Sequence, residues 1–385
     1  MTHMSNENVL KKIKHEREIG KISTRRYKLV IKLYTDLIGH DFDYLLKEAI
    51  REEKEHIPWR DKHLKVYLIN FRNYLYNKYK KDSATIYFHS LKAIYQSYEI
   101  ELHPLPPISK NRFRTTPPLL MKDLLKREEI SKALNIANPV MQSLMLGLIS
   151  MGIDKSTALN LTIKDLIIGT KPYHSNKGSV TEILKELLTQ DNVVPTFYLK
   201  RPKTNKDFFT FASPEFIRNC CKYLLNRKDT LTLESPVFKV TSVYATILFE
   251  NYNDKLKLGK AAGYNRLRGH MLRKYHATML NKSEYMDKDM IDELQGREKQ
   301  VEVRKSYYLD DPETMKKAYI KSLPYITIND TINVLNVKSD EYVALEREKQ
   351  EAIKSKKELE NSIDAAVDRK MKAELRKILV EHGRL

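Results

Sequence analysis

The chain has 385 residues, of which 41% are hydrophobic, so its length predicts two or three domains with buried cores. Lysine and arginine number 69 against 50 acidic residues, and the net charge of +19 favours a polyanionic partner over an ordinary basic surface. The two cysteines, Cys220 and Cys221, are adjacent in the sequence. They exclude a disulfide framework or a cysteine-rich zinc cluster and indicate a reducing compartment.

No stretch of the sequence predicts a membrane span or a secretory signal. Residues 1–8 are polar, and the longest apolar stretch, Val140 to Ile153, is about 14 residues long and contains Gln142. A stretch of this length is too short to cross a bilayer and predicts a buried helix. We therefore expect no membrane contact and a cytoplasmic, nucleoid-associated protein.

Residues 1–103 are predicted to form an N-terminal bundle of helices with a basic face. Apolar residues recur at helical spacing in two stripes, Tyr27, Val30, Ile31, Tyr34 and Leu37, and then Ile86, Tyr87, Leu91, Ile94 and Tyr98. Ser23 or Thr24 is the expected N-cap of the first helix. Arg25 and Arg26 lie off its apolar stripe, on the basic face. The aromatic residues at this spacing are expected in the core rather than as platforms for stacked bases.

A proline-rich, basic segment separates this bundle from the rest of the chain. Residues 104–118 contain five of the fourteen prolines, interleaved with Lys110, Arg112 and Arg114. Proline fixes φ and removes a backbone donor, so the segment is predicted to be a semi-extended linker. It is expected either to lie along a DNA backbone or to act as an inert spacer.

Residues 119–327 predict a second domain that is mainly α-helical with a small antiparallel β-sheet. Helical patterns cover residues 128–137, 140–151, 214–228, 235–254 and 264–282. Two short strands, Pro195 to Leu199 and Phe208 to Phe211, flank a polar turn at residues 200–207. The fold class expected for the whole chain is therefore mainly α with a small antiparallel sheet.

The charged tail, residues 328–385, predicts a long C-terminal helix. Apolar residues recur every seven positions at Leu345, Ala352, Leu359 and Ala366, but lysines occupy the other seam positions. The heptad pattern is therefore weak. The tail is expected either to be a solvated helix or to dock on a neighbouring protomer.

A basic helical motif is the clearest chemical feature of the second domain. His270 and Arg273 are three residues apart and share a helical face, where they can hold one phosphate group. Ala277 and Thr278 follow. The longer string resembles the H-x-L-R-H-x-x-A-T box of the tyrosine recombinase (integrase) family. No metal-ligand cluster or glycine-rich phosphate loop is present in the sequence, so we expect no metal and no cofactor.

Two later segments resemble further elements of this family, in the same order. Leu294-Gln295-Gly296-Arg297 resembles the L-G-H element, in a form associated with archaeal members, with Arg297 as an added phosphate donor. The segment from Tyr307 to Glu313 resembles the Y-x-x-x-D-P-E that holds the nucleophile. The resemblance implies that Tyr307 is the nucleophile, and the adjacent Tyr308 remains the alternative.

The family's hairpin lysine has a counterpart in the turn between the two strands. Lys203 stands there, with Lys200 and Lys206 close by. The resemblance implies that Lys203 protonates the departing 5′ oxygen. Its place inside the turn favours it over the two neighbours.

The first arginine of the family is replaced in this chain. Residues 152–161 resemble the G-x-x-R-x-S-E-x-L-x-L region, but Lys155 stands at the arginine position. Lysine is a point charge and cannot fork across two phosphate oxygens. We therefore expect slower chemistry, or compensation by another arginine such as Arg268 or Arg297.

The resemblance covers roughly residues 20–325 and implies a site-specific recombinase that cleaves and rejoins DNA through a 3′-phosphotyrosine. The implied partners are double-stranded DNA and further copies of this chain, as a tetramer on paired sites. The residues expected to contact DNA are Arg25, Arg26, Lys110, Arg112, Arg114, Arg201 and Arg268. An inactive DNA-binding relative and a type IB topoisomerase-like enzyme are the alternatives.

Overall fold

The structure is a computed structural model that describes residues 6–109, 117–175, 177–297, 311–329, 348–363, 369 and 371–372. The chain divides into two compact units, Met1–Pro118 and Leu119–Leu385. The described residues are mainly helical and contain small antiparallel sheets, so the expected fold class is confirmed. None of the described helices is both long enough and apolar enough to span a bilayer.

The first unit is a helical bundle with an aromatic core. Its helices are α1 (Asn6–Arg17), α2 (Lys21–Ile38), α3 (Phe42–Lys54), α4 (His63–Lys78) and α5 (Lys81–Ser97), with a 3₁₀ turn at Trp59–Asp61. The hydroxyls of Tyr34 and Tyr95 share a hydrogen bond of 3.0 Å inside the bundle. The ring of Phe71 packs edge-on against Tyr34, with centroids 5.2 Å apart. These aromatic side chains therefore belong to the core, as expected.

Helix α2 begins earlier than the sequence predicts. Helix α2 starts at Lys21, and Gly20, not Ser23 or Thr24, is its N-cap. The Thr24 hydroxyl lies inside the helix and donates to the Gly20 carbonyl at 3.1 Å. Because the Thr24 hydroxyl is already hydrogen-bonded within the first turn, it does not cap a helix that begins later.

The beginning of the expected linker packs against the first unit. Leu102 and Leu105 contact its hydrophobic core. The Arg72 guanidinium donates to the Pro106 carbonyl at 2.6 Å. The beginning of the segment, up to Pro106, therefore contacts the bundle. The linker cations Lys110, Arg112 and Arg114 lie outside the described residues.

The second unit surrounds a long buried helix. Its helices are α6 (Arg127–Ile136), α7 (Pro139–Met151), α8 (Lys155–Leu159), α9 (Ile163–Gly169), α10 (Val180–Leu188), α11 (Pro214–Leu225), α12 (Ser242–Lys255), α13 (Gly269–Lys282), α14 (Lys288–Leu294) and α15 (Pro312–Ile326), with 3₁₀ turns at Met121–Asp123 and Lys171–Tyr173. Helix α7 is almost wholly buried, as its apolar sequence predicts. Asn138 caps its first turn, and Gly152 ends it with φ of 64°.

Two hairpins complete the second unit. Strand β1 (Thr196–Arg201) pairs antiparallel with β2 (Lys206–Phe211), in the register Thr196 to Phe211 and Arg201 to Lys206. Both strands extend into the turn predicted at residues 200–207. The short strands β3 (Lys260–Ala261) and β4 (Tyr264–Asn265) precede α13, which begins at Gly269 and not at residue 264 as predicted.

The C-terminal segment has two different environments. Ile328 is buried in the core of the second unit, and the amides of Ile328 and Asn329 donate to the Glu215 carboxylate, each at 2.8 Å. Residues 348–363 form an exposed helix on which Leu359 is 62% exposed. Leu345 and Ala366 of the expected heptad lie outside the described residues, so docking of the tail on another protomer stays a prediction.

A buried histidine packs against the end of α7. His276 is 0% exposed, and its Nδ1 donates to the Ile149 carbonyl at 2.8 Å. A Cβ atom added at Gly152 would meet the His276 ring at 2.3 Å, and the φ of Gly152 is 64°. Gly152 is therefore required both by its backbone conformation and by the close approach of the ring.

We expect Gly152→Ala to lower the free energy of unfolding by about 3 kcal/mol, since backbone strain and overpacking add together. Gly259→Ala is the matched control, because its φ is 74° but its surroundings are open. It should lose about 1 kcal/mol from backbone strain alone. Urea unfolding measures both variants. Equal losses would show that contact with His276 does not constrain Gly152.

Candidate active site

Helix α13 presents two arginines and a histidine at its first turns. Arg268 is the N-cap residue, in an extended conformation, and His270 and Arg273 follow one turn apart. His270 is exposed, whereas Arg273 is only 4% exposed. The N-terminus of a helix also offers unpaired backbone amides and a partial positive charge. The local structure therefore favours an anion here.

These side chains line one cavity of about 740 Å³. Four residues predicted from the sequence form part of its wall, namely Lys155, Arg268, His270 and Arg273. The wall also contains the carboxylates Asp154, Glu250 and Asp254. The cavity thus brings together cations from the region of the replaced arginine and from the basic helical motif.

Arg273 is held in place by the turn that follows α14. Its Nη2 donates to the Gln295 carbonyl at 2.7 Å, and the Gln295 side chain donates back to the Arg273 carbonyl at 3.1 Å. Its Nη1 is buried and has no hydrogen-bond partner among the described residues. Burial, followed by the charges of Arg201 and Arg297, lowers the pKa of Arg273 to about 10. The guanidinium therefore stays charged at neutral pH.

Asp154 is the main acidic contact of the site, and its role does not follow from the sequence motifs. One carboxylate oxygen caps α8 by accepting from the Thr157 amide at 3.0 Å. The other lies 3.1 Å from Arg201 Nε and 3.7 Å from Arg273 Nη1. Burial acts to raise the pKa of Asp154. Hydrogen bonds from Ser156, Thr157 and Arg201 lower it by more, so the pKa lies below its usual value. Asp154 is therefore ionised and stabilises both arginines.

Lys155 makes contacts that connect α8 with α12. Its ammonium donates to the Ser242 carbonyl at 2.8 Å and to the Thr246 hydroxyl at 2.5 Å. Burial lowers the pKa of Lys155. Lys155 therefore adds positive charge to the cavity wall, while two of its possible hydrogen bonds are directed at α12.

The three lysines of the β1–β2 hairpin have different surroundings. Lys200 lies 3.6 Å from the Asp207 carboxylate, and Lys206 lies 2.8 Å from the Glu293 carboxylate. Lys203 is exposed in the turn at residues 202–205 and is not part of the cavity wall. No described contact brings Lys203 to the cavity, so its choice over the two neighbouring lysines stays a prediction.

Arg297 lies beside the cavity without lining it. Its Nη1 is 3.0 Å from the Asp292 carboxylate, and its carbonyl accepts from Lys206 at 2.9 Å. The preceding Gly296 has φ of 60°, and a Cβ there would meet the Phe208 ring at 2.8 Å. The L-Q-G-R element therefore packs directly on strand β2.

Both candidate nucleophiles, Tyr307 and Tyr308, lie outside the described residues. The motif after them begins α15, where the Asp311 carboxylate accepts from the amides of Glu313 and Thr314 at 3.1 and 3.2 Å. Pro312 occupies the first helical position. The D-P-E part of the motif thus works as a helix start, for which these residue types are well suited.

The remaining predicted DNA contacts differ in exposure. Arg25 is exposed on α2 in the first unit, and the Arg26 guanidinium stacks 5.6 Å from the Tyr27 ring centroid. In the second unit, Arg268 stacks 5.0 Å from the Tyr264 ring. Arg201 is turned inward, with only 18% of its side chain exposed.

Comparisons with known proteins give similarity at the level of structure only. No protein-family model matches the chain, and no curated protein matches it. The chain is similar to a lambda integrase dimer bound to a COC′ core site (14% identity, TM-score 0.48, covering 80% of this chain and 99% of that one). It is also similar to XerH site-specific recombinase bound to difH substrate (18%, 0.46, 82% and 84%) and to XerA recombinase (15%, 0.32, 82% and 98%).

The surroundings of His270 predict its titration. Desolvation, followed by the charges of Lys274 and Arg268, lowers the pKa of His270 below its usual value. The free protein should therefore hold a neutral imidazole at pH 7. The folded state binds this proton less tightly than the unfolded chain, so protonation below about pH 6.5 disfavours folding.

We expect the pKa of His270 to rise when inorganic phosphate binds, because the anion favours the imidazolium. Lys274→Gln should also raise it in the free protein, whereas Lys282→Gln, in the last turn of α13, should not. An NMR titration of ¹³C-labelled histidine, assigned with His270→Gln, measures all three. A pKa that neither phosphate nor Lys274→Gln changes would contradict the cationic surroundings described here.

Proposed function

We propose that the protein is a site-specific DNA recombinase of the tyrosine recombinase type. The observation that supports this most is a single cavity lined by Lys155, Arg268, His270 and Arg273 at the start of α13. Such a set of donors can stabilise the charge that develops on a phosphate during substitution at phosphorus. The motifs around these residues resemble the same family in the same order along the chain.

In the proposed mechanism the scissile phosphate occupies this cavity. Arg273 donates to a non-bridging oxygen from Nη1, the atom without a hydrogen-bond partner among the described residues, and His270 donates a further hydrogen bond. Lys155 and Arg297 add positive charge. These interactions strengthen as negative charge accumulates on the oxygens, so they lower the barrier to substitution.

A tyrosine supplies the nucleophile, which we assign to Tyr307, with Tyr308 as the alternative. The phenol releases its proton to solvent, its oxygen bonds to phosphorus as the bond from phosphorus to the 5′ oxygen breaks, and a 3′-phosphotyrosine remains. Lys203 gives its proton to the departing 5′ oxygen. A 5′ hydroxyl then gives its proton to Lys203 and attacks the phosphotyrosine, and the released tyrosine takes up a proton from solvent, so the phosphodiester is restored without a metal or ATP.

The partner in this proposal is double-stranded DNA, bound by copies of the chain as a tetramer on paired sites. The exposed Arg25 of the first unit and the linker cations Lys110, Arg112 and Arg114 would contact the backbone. Phosphate contacts of this kind position a protein without reading sequence. A chain with a net charge of +19 should therefore bind DNA less tightly as salt increases.

A DNA-binding relative without catalytic activity is the second candidate. It is favoured by one observation, namely that Lys155 replaces the first arginine and directs its ammonium at Ser242 and Thr246. Such a protein would bind its site and would form no covalent product. Cleavage assays separate the two candidates.

The protein's DNA site is first selected from a random DNA library. A nicked suicide duplex with that sequence then tests the nucleophile. We expect a covalent protein–DNA product that Tyr307→Phe abolishes and Tyr308→Phe retains, because only one phenol can align behind the phosphorus. Denaturing gel electrophoresis detects it. The opposite pattern moves the nucleophile by one residue. Tight binding without any product would favour the inactive relative.

The role of Lys203 is tested with a duplex whose departing 5′ oxygen is replaced by sulfur, a leaving group that needs no proton. Lys203→Ala should slow cleavage of the ordinary duplex by about 100-fold and should cleave the sulfur duplex at nearly the wild-type rate. Lys200→Ala, the control, should cleave both substrates normally. An equal loss on both substrates would exclude proton donation by Lys203.

A further inference from the structure

A guanidinium that the motifs do not assign to catalysis lies next to Arg273, outside the residues that line the cavity. Arg201 ends strand β1, and its Nε donates to the Asp154 carboxylate at 3.1 Å. Its Nη1 donates to the Gly296 carbonyl at 3.2 Å. Arg273 contacts the same Asp154 oxygen at 3.7 Å and the carbonyl of the neighbouring Gln295 at 2.7 Å. The two guanidinium groups therefore share one carboxylate oxygen, and each donates to one of two successive carbonyls.

Asp154 does not fully neutralise this pair of arginines. Like charges held side by side repel, and Arg201 is among the causes of the lowered pKa of Arg273. Asp154 offsets one of the two positive charges, so the group of three keeps a net positive charge. The buried Arg273 Nη1 still has no hydrogen-bond partner among the described residues. A phosphate oxygen would satisfy both the charge and the donor.

The two arginines expected to compensate for the replaced arginine are placed differently. Arg268 donates to the Asn265 carbonyl at 2.5 Å and stacks on the Tyr264 ring. Arg297 is paired with Asp292, and 39% of its side chain is exposed. In the part of the chain that the structure describes, neither forms an ion pair with Asp154, as Arg201 does.

We propose that Arg201 supplies the second guanidinium of the phosphate site, and that Asp154 is the positioning residue for both arginines. The inference rests on the proposed function, because it concerns the same scissile phosphate. Lysine at position 155 then adds charge, and the fork of donors comes from strand β1. Asp154, which precedes Lys155 in the sequence, contributes by positioning both arginines.

Arg201→Lys tests the guanidinium because it keeps the charge and loses the fork. The matched control is Arg227→Lys, since Arg227 is paired with Asp229 at 2.6 Å and forms no described contact with Asp154. We expect Arg201→Lys to slow covalent cleavage by about 100-fold, the usual effect of losing one donor to a developing oxyanion. Arg227→Lys should cleave at the wild-type rate.

A second substrate separates a catalytic role from a structural one. A methylphosphonate at the scissile position is neutral and demands less positive charge in the transition state. The loss caused by Arg201→Lys should shrink at least tenfold on it, by the general electrostatic argument. An equal loss on both substrates would overturn the proposal, because a merely misfolded site would fail on each. If Arg201→Lys fails to fold in a circular dichroism melt, Arg201→Gln is compared in the same way.

Asp154→Asn tests the positioning role, since asparagine can still cap α8 but lacks the charge. We expect about tenfold slower cleavage, and little further loss when it is added to Arg201→Lys, because the two residues act as one unit. Asp287→Asn is the control, since Asp287 caps α14 in the same manner, by accepting from Met290 at 2.8 Å. Additive losses in the double variant would contradict the assignment of Asp154.

The controls also separate this proposal from the proposed function. Absence of a covalent product with the wild-type chain would reject the recombinase itself. A Tyr307-dependent product with the wild-type chain, together with normal cleavage by Arg201→Lys, would reject only the role of Arg201. Loss of that product in Lys155→Gln, with normal cleavage by Arg201→Lys, would return the replaced arginine's function to Lys155.

Discussion

The burial of Arg273 is the constraint on which the candidate site depends. A guanidinium that is 4% exposed loses most of its hydration, which costs several kcal/mol unless the protein replaces it. Here the Gln295 carbonyl and the Asp154 carboxylate do so. Because these two groups come from different turns, the charge of Arg273 can be buried only when both turns are in place.

Close packing brings these turns to their positions. Gly296 lies so near Phe208 that any side chain there would collide with β2, and Lys206 of the same strand is paired with Glu293. On the other side, Gly152 lies against the ring of His276, one turn after Arg273 on α13. The hairpin, the end of α7 and the turn after α14 are thereby held against one helix. The site is a product of packing as much as of charge.

The sequence predicts local features of this arrangement better than long-range ones. Helical spacing identifies Tyr27 and Tyr34 as core residues and places His270 and Arg273 on one helix. The same spacing is wrong for Ile86, which is 47% exposed, while Tyr95 is buried in its hydrogen bond with Tyr34. A period of 3.6 leaves the direction of a stripe uncertain when aromatic residues lie on neighbouring faces.

The role of Asp154 shows why the rest of the site could not be predicted. Its first role is local, because it caps α8 just before Lys155-Ser156-Thr157. Its second role depends on Arg201 and Arg273, which only the tertiary fold brings to it. Although the pKa of Arg273 is lowered to about 10, the guanidinium keeps its proton at neutral pH, so loss of a proton does not relieve the repulsion between the two arginines. The repulsion therefore remains in the free protein as a cost to stability, and an anion that binds between the arginines would remove it.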